Sequence, residues 1–473
     1  GQARRWEVWL DLAAGDRGAA GDRGAAGDRG AAGDGHAAES GEALARHANA
    51  PLVPAPDPAQ AIATGVWDDV APAAKTPGGD ASVAAYDAWA ANLFDGYVHA
   101  IEVQRDYGAM NWGDWYGERQ INWGNHEYDT PNLVYIQFAR TGDPRYYYLA
   151  EAAARHLAEV DTVHHVNEDL DAYFTEHFPH PTYPSRAGMM HEHAVGHVGA
   201  FYPVETVEEL LIAHGIGTPG RRVYTCLDPY NLGHIFTQGI VRAYYLTGDP
   251  YLRETAVQMA DNLAQLVEDR EYQFMGHTHC GRITGWPLLA LGAVYEIDRA
   301  PRYVAAMRTL ADDALKDQDP VCGGWLIHPM AYDHCLCKTA RHTGMAGFIT
   351  AVLINGLSRY YLLSGDERLP EAIEKAVTFL NNDTWREEWR DWRYTSCPAT
   401  GPIHQIGTNM MALVNGVRIT GNAEHLRILR VAWEAKFARL RQAPPAGPGA
   451  GKTYSVDMYG SAETVGILAH RGS

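Results

Sequence analysis

The chain has 473 residues, 46% hydrophobic and 21% charged, so a sizeable core is affordable and wholesale disorder is excluded. Lys+Arg 39 against Asp+Glu 58 leaves a net charge of −19, a field that repels phosphate and argues against nucleic acid or an anionic membrane as partner. The surplus to be placed is 22 His, 13 Trp and 26 Tyr, side chains that stack on sugars, move protons and bind metals.

Period-2 alternation is confined to the first dozen residues, which lack the features of a signal peptide. The compartment stays open between secreted and cytoplasmic. Residues Gly15 to Gly33 repeat Gly-Asp-Arg-Gly-Ala-Ala without proline, a solvated low-complexity tract rather than collagen. From Asn49 to Pro77 the chain is rich in Pro and Ala and reads as an extended connector. The globular body is expected to start near Ser82. Six cysteines, Cys226, Cys280, Cys322, Cys335, Cys337 and Cys397, are too sparse for a disulfide framework. No apolar run reaches the ~20 residues of a membrane span.

From residue 82 onward one pattern recurs. An apolar stretch ends in Gly-Asp and an amphipathic stretch follows. The turns are Thr141-Gly142-Asp143-Pro144, Thr247-Gly248-Asp249-Pro250, Ser364-Gly365-Asp366-Glu367 and Thr420-Gly421-Asn422, with Asp298-Arg299-Ala300-Pro301 a degenerate copy. Gly supplies a left-handed helix end, Asp or Asn caps the next helix, and Pro in its first turn agrees. The stretches before the turns (Leu133 to Phe138, Ile235 to Leu246, Trp286 to Tyr295, Phe348 to Leu363, Met410 to Val417) read as helices buried all round. Those after them carry stripes such as Leu252, Ala256, Met259, Ala260 and Leu263. Five pairs are visible, and helices expected over Ser82 to Asp106 and Val456 to His470 close a sixth. The expected fold is an all-α (α/α)6 toroid of alternating inner and outer helices.

The loops leading into inner helices open on one end of such a toroid, so their polar residues converge. They read Asn125-His126-Glu127-Tyr128-Asp129, Tyr230-Asn231-Leu232-Gly233-His234, His277-Thr278-His279-Cys280-Gly281-Arg282, Lys338-Thr339-Ala340-Arg341-His342 and His404-Gln405-Ile406-Gly407-Thr408-Asn409. One His would be read as a cap or a satisfied core residue. A His in all five equivalent loops favours a shared mouth. Asn111 to Asn125 packs Trp112, Trp115, Tyr116 and Trp123 around Asp114, Glu118 and Arg119, which suits carbohydrate recognition and equally suits a buried Trp cluster with an ion pair. His191, His193 and His197 hold an i, i+4 pair with metal-ligand spacing, weakened by Gly196. Cys335-Leu336-Cys337 after His334 is a second thiolate motif, weak without a matching pair.

Taken together, NWGDWYGERQINWGNHEYD (Asn111 to Asp129), Asp161 to His165, HEHAVGHVGAFY (His191 to Tyr202), YNLGHIFTQGIVRAYYLTGDP (Tyr230 to Pro250) and GRITGWPLLALGAVYE (Gly281 to Glu296) resemble the central domain of exo-rhamnogalacturonan lyases, polysaccharide lyase family 26, and the related YetA-like proteins. The resemblance covers roughly Tyr86 to Gly421. The start, GQARRWEVWLDL, resembles the last strand of that family's preceding β-domain. The implied organisation is the end of a β-domain in 1–14, a linker in 15–81 and the toroid in 82–473.

The resemblance implies β-elimination at a rhamnose-to-galacturonate linkage of an acidic plant polysaccharide or oligosaccharide. That chemistry needs a group to neutralise the uronate carboxylate, a base for the C5 proton and an acid for the departing O4. The carboxylate binders expected are Arg119, Arg282 and Arg341. His193, His197 and His234 are candidate bases, and Tyr128 and Tyr202 candidate proton donors. Trp112, Trp115, Tyr116, Asn125, His126, Tyr128, Asp129, His191, Tyr230, Asn231, His277, His279, His342 and His404 are expected to line the sugar site. No cofactor is required, although a divalent cation, calcium or zinc, could replace the arginines. Two other readings stand beside this one. A hydrolase would draw two opposed carboxylates from Asp114, Glu118, Glu127, Asp129 and Glu192, and a non-catalytic remnant would bind oligosaccharide without turnover.

Overall fold

The computed structural model describes residues 43, 53, 57–107, 112–117, 123–124, 126–169, 172, 185–190, 232–271, 281–326, 330, 334–337, 342–439 and 447–471. One compact unit holds Gly1–Ala3 and Pro56–Ser473; Arg4–Ala55 form a second, of which residues 43 and 53 alone are described. The expected β remnant in 1–14 and the low-complexity tract lie outside the described residues.

After a short helix α1 (Pro58–Ala63) come the outer helix α2 (Ala84–Gln104) and then inner–outer pairs: α3 (Thr130–Thr141) with α4 (Pro144–His156), α5 (Gln238–Thr247) with α6 (Pro250–Glu268), α7 (Arg282–Ile297) with α8 (Pro301–Asp317), α9 (Gly347–Ser364) with α10 (Leu369–Thr384), and α11 (Gly407–Thr420) with α12 (Ala423–Arg439). The chain ends in α13 (Ala450–Met458) and α14 (Ser461–Arg471). Each inner helix packs on the next, α3 to α5, α7, α9 and α11; α13 and α14 pack on α11, and α13 returns to α3 and α2. Among the described residues this is a closed ring of six inner positions with outer helices around it, an (α/α)6 toroid.

The Gly-Asp turns explain why the chain reverses where it does. Gly142, Gly248, Gly365 and Gly421 sit at φ 70, 66, 67 and 72°, and their N–H groups bond Phe138, Tyr244, Tyr361 and Val417 carbonyls. Thr141, Thr247, Ser364 and Thr420 hydroxyls donate back to the carbonyl four residues earlier at 2.7, 2.7, 2.7 and 2.8 Å. Asp143, Asp249, Asp366 and Asn422 then accept the N–H two residues ahead at 2.9, 3.0, 3.1 and 2.8 Å. Each turn thus satisfies groups that two helix ends would otherwise leave bare. The degenerate copy has Ala300 at φ −63° and no side-chain cap.

Inner helices can sit close because their contacts are small. A Cβ on Gly356 would lie 2.6 Å from the Gly285 carbonyl oxygen, so α7 and α9 approach backbone to backbone. Between these neighbours in the ring, Asn415 donates to Asn355 at 2.9 Å, tying α11 to α9.

Two expectations are corrected. The stretch read as an extended connector contains α1 and packs on the ring: Trp67, Val70, Ala71 and Ala73 are buried. Arg242 donates to the Val66 carbonyl at 2.6 Å and to Asp68 at 2.9 Å, and Arg140 to the Ala71 carbonyl at 2.7 Å. Pro and Ala left the local preference extended, and buried arginines seeking acceptors captured the segment. The helix expected over Val456 to His470 begins at Ala450 and is interrupted at Tyr459–Gly460, because Gly460 takes φ 66° where α14 passes Met411 and Gly407. The described strands are a short antiparallel hairpin, β1 (Trp385–Arg386) and β2 (Asp391–Trp392), between α10 and α11, and leave the all-α reading intact.

Candidate active site at the N-terminal ends of the inner helices

The segment before α3 is built under strain. His126, Tyr128 and Asp129 have φ 49, 74 and 58°, left-handed values that cost non-glycine residues about 1–2 kcal/mol each. Asp129 supports this backbone by capping α3 through the Asn132 N–H at 3.4 Å and by accepting the Gly239 N–H of α5 at 3.1 Å. Burial raises its pKa to about 7 against those hydrogen bonds. Strain of this kind persists where the surroundings over-determine it, often at a functional site. Here it presents Glu127 to three helices.

Glu127 Oε1 lies 3.2 Å from His234 Nε2, at the approach to α5, and 3.9 Å from the Arg282 guanidinium, in the first turn of α7. Glu127 Oε2 pairs with Lys452 in the first turn of α13. The Lys452 ammonium also lies 5.0 Å from the Tyr128 ring centroid and 5.8 Å from that of Trp115. His234 is 2% exposed, whereas the Arg282 and Lys452 side chains are each 20% exposed. Two reachable cations and the positive ends of α5, α7 and α13 therefore surround one carboxylate. The local balance favours an anion, inside a chain of net charge −19.

Behind this group lies a second, fully buried one. His156 Nδ1 donates to the Trp112 carbonyl at 3.1 Å, and its Nε2 faces Asp161 at 3.2 Å and Asp114 at 3.7 Å. A π-helical turn at Leu157–Asp161 ends α4 and brings Asp161 back onto His156. His126 meets the other Asp114 oxygen at 3.9 Å and the His156 ring at 5.4 Å between centroids. Asp114, His126 and His156 each offer a ligand atom within 4.8 Å of the others, a set able to hold a divalent cation. Nearby Asp106 is pushed up to about 6 by burial and by the Asp114 carboxylate.

Of the residues expected from sequence, His234, Arg282 and Tyr128 meet around Glu127. Trp112 is 41% exposed beside the His156 group, and the Tyr116 ring packs tilted at 59° against Trp123, 5.1 Å between centroids. Trp115, His126 and Asp129 are buried at 1, 0 and 1% and form the floor instead of a sugar-stacking surface. Trp115 explains why: it is wedged against Gly124 and Gly451 and donates to Thr130 Oγ1 at 3.2 Å. His342 lies against Cys335, and His404 is exposed with its N–H on Asp391 at 2.7 Å, so the His of these two loops serve other local structure. Arg119, Asn125, His191, His193, His197, Tyr202, Tyr230, Asn231, His277, His279 and Arg341 lie outside the described residues. The sequence reading gives no role to Lys452 or His156, names Asp161 only as part of the Asp161 to His165 motif, and names Glu127 in the first polar loop and as a hydrolase carboxylate. Lys452 was hidden because the last inner helix was expected to begin after it.

The comparisons with known proteins agree on the architecture. A model of the PcRGLX-like protein C-terminal alpha/alpha toroid domain matches residues 51–168. No curated protein matches the chain. An unsaturated glucuronyl hydrolase specific for heparin is similar in structure at TM-score 0.50 and 11% identity, over 82% of this chain and 99% of that one. A solved polysaccharide lyase is similar at TM-score 0.50 and 12% identity, over 80% and 98%. The unsaturated glucuronyl hydrolase of Bacillus sp. GL1 matches at TM-score 0.36 and 14% identity over 44% of this chain, which spans only 56% of that protein. The chain is an α/α toroid. Among the described residues, no helix is long and apolar enough to cross a membrane.

Proposed function

We propose that this chain is a polysaccharide lyase that cleaves rhamnose–galacturonate linkages of rhamnogalacturonan by β-elimination, working from a chain end. The observation that carries the reading is the meeting of Arg282, Lys452 and His234 around Glu127 at the mouth. β-Elimination places its largest electrostatic demand on the uronate carboxylate, whose neutralisation acidifies C5–H and stabilises the enolate-like intermediate. Arg282 and Lys452 are the reachable cations for that carboxylate, and Glu127 holds both in position. His234, held beside Glu127, is the base for C5–H in this reading. Tyr128 beside Lys452 is the donor to the departing O4, and Trp112 offers an exposed ring for a sugar face. In this reading no cofactor is required; a divalent cation at Asp114, His126 and His156 would strengthen the positive field behind the mouth.

A hydrolase is the second reading. Among its described candidates Asp129 caps α3, Asp114 faces two histidines and Glu127 is paired with Lys452, while Glu118 and Glu192 lie outside the described residues. The test is ultraviolet-monitored cleavage of rhamnogalacturonan with and without a chelator. A lyase generates an unsaturated, absorbing uronate at the new chain end. Release of reducing sugar without absorbance would overturn elimination in favour of hydrolysis, and binding without turnover would overturn catalysis altogether.

A further inference from the structure

Cys335 and Cys337 come from the connection between α8 and α9, and Cys397 from the loop after β2, sixty residues further along the chain. Their sulfurs all lie within 4.8 Å of one another, and the Cys337 and Cys397 Sγ atoms are 3.7 Å apart. Zinc–thiolate bonds of about 2.3 Å in a tetrahedron place sulfurs about 3.8 Å apart, whereas a disulfide would hold them at about 2.05 Å. The 3.7 Å pair is at metal-site spacing. Cys335 and Cys397 are buried at 3 and 0% beside Met330, and Cys337 is half-buried.

The framework around the sulfurs is already tied. The His342 N–H donates to Cys335 Sγ at 3.2 Å, the kind of backbone donor that stabilises a bound thiolate. Met330 N–H bonds the His342 carbonyl at 3.0 Å. Thr395 Oγ1 donates to the His334 carbonyl at 2.7 Å and accepts the Cys397 N–H at 3.2 Å, so one side chain joins both cysteine loops. Ordinary core thiols need no such convergence. Half of the chain's six cysteines meet here.

We propose that Cys335, Cys337 and Cys397 bind one thiophilic metal ion, zinc, which staples the loop leading into α9 to the loop after the β1–β2 hairpin. Among the described residues no fourth His, Cys, Asp or Glu joins the set, and the half-exposed Cys337 side admits water as the fourth ligand.

The test uses the full chain, reduced, stripped with a chelator and exchanged into metal-free buffer. Cobalt(II) is expected to bind one per chain with thiolate charge-transfer and tetrahedral ligand-field bands, and zinc to displace it. Zinc should slow alkylation of Cys335, Cys337 and Cys397 in the native chain at least ~10-fold, mapped by peptide mass spectrometry, while Cys322 alkylates at an unchanged rate. Cys397→Ser should abolish the cobalt spectrum and Cys322→Ser leave it intact. If Cys397→Ser fails to fold, the alkylation arm decides on the native chain alone. Unchanged alkylation with no cobalt spectrum would overturn the proposal, as would a Cys337–Cys397 disulfide that forms in the presence of zinc.

Discussion

The two ends of the inner helices are built from the same helices by opposite means. At the C-terminal ends the chain reverses through Gly-Asp turns whose bonds are nearly superimposable in length, and Thr64 to Asp69 cover that end, with Arg242 and Arg418 holding Asp68 and Asp69. At the N-terminal ends the connections are long, the backbone before α3 is left-handed at three non-glycine residues, and charged side chains from α7 and α13 meet on Glu127. Stability is concentrated where hydrogen bonds are local and complete. The proposed chemistry sits where helix N-terminal ends direct N–H groups and positive field toward Glu127.

Substitution at the mouth should separate the two ends most sharply. Arg282→Ala and Lys452→Ala are expected to lower kcat/KM on rhamnogalacturonan by about 100- to 1000-fold, the scale of losing one transition-state charge partner, with little change in melting temperature. A comparable loss of turnover from Gly365→Ala at the far end would break the distinction.

The next effect is a stability effect close to the mouth. Lys436 is fully buried, pairs with Asp457 at 2.7 Å and donates to the Gln405 carbonyl at 3.2 Å, linking α12, α13 and the loop before α11. Lys436→Met leaves Asp457 with the Arg439 guanidinium alone, at 3.9 Å, and should cost about 3 kcal/mol in denaturant unfolding. A loss under 1 kcal/mol would show that the chain relaxes or hydrates there.

In the lumen, Glu463 is pushed up from 4.5 to about 7 by burial, then by Asp68, against Arg418 and Arg242. With the folded pKa above the unfolded value, the folded state binds the extra proton. Its contribution is full below pH 4.5 and declines until the pH passes about 7. Thermal melts between pH 4.5 and 7.5 should therefore show a downward slope that Glu463→Gln reduces. An identical slope in the variant would place the titration elsewhere.

The smallest effect belongs to the turns. Gly365 has φ 67° and nothing within 4 Å of a built Cβ, so Gly365→Ala pays the left-handed backbone alone, about 1–2 kcal/mol. At the degenerate turn Ala300 stands where the other copies have Asp or Asn, so Ala300→Asp, which restores the absent side-chain cap, should gain about 1 kcal/mol in denaturant unfolding. No gain there would mean that side-chain capping is not what stabilises that end.

Much of the fold was legible because its punctuation is local. Gly142, Gly248, Gly365 and Gly421 bond carbonyls four residues back, and their caps act two residues ahead, distances any sequence window contains. The site was legible only in part. The polar loops and their histidines could be read, but Glu127 and Lys452 are 325 residues apart and meet only when the ring closes. Likewise Cys335-Leu336-Cys337 was visible as a motif, while Cys397 joins it from sixty residues away.

Residue order alone established the alternation of buried and half-buried helices and the turns between them, because hydrophobic period and helix capping act within one or two helical turns. Ring closure settled the rest. It buried Trp115 between two glycines, drew Thr64 to Asp69 onto buried arginines, gathered three thiols, and chose which of the polar loops would share a charge. Those outcomes depend on desolvation and on contacts between elements hundreds of residues apart, which no local window of the chain encodes.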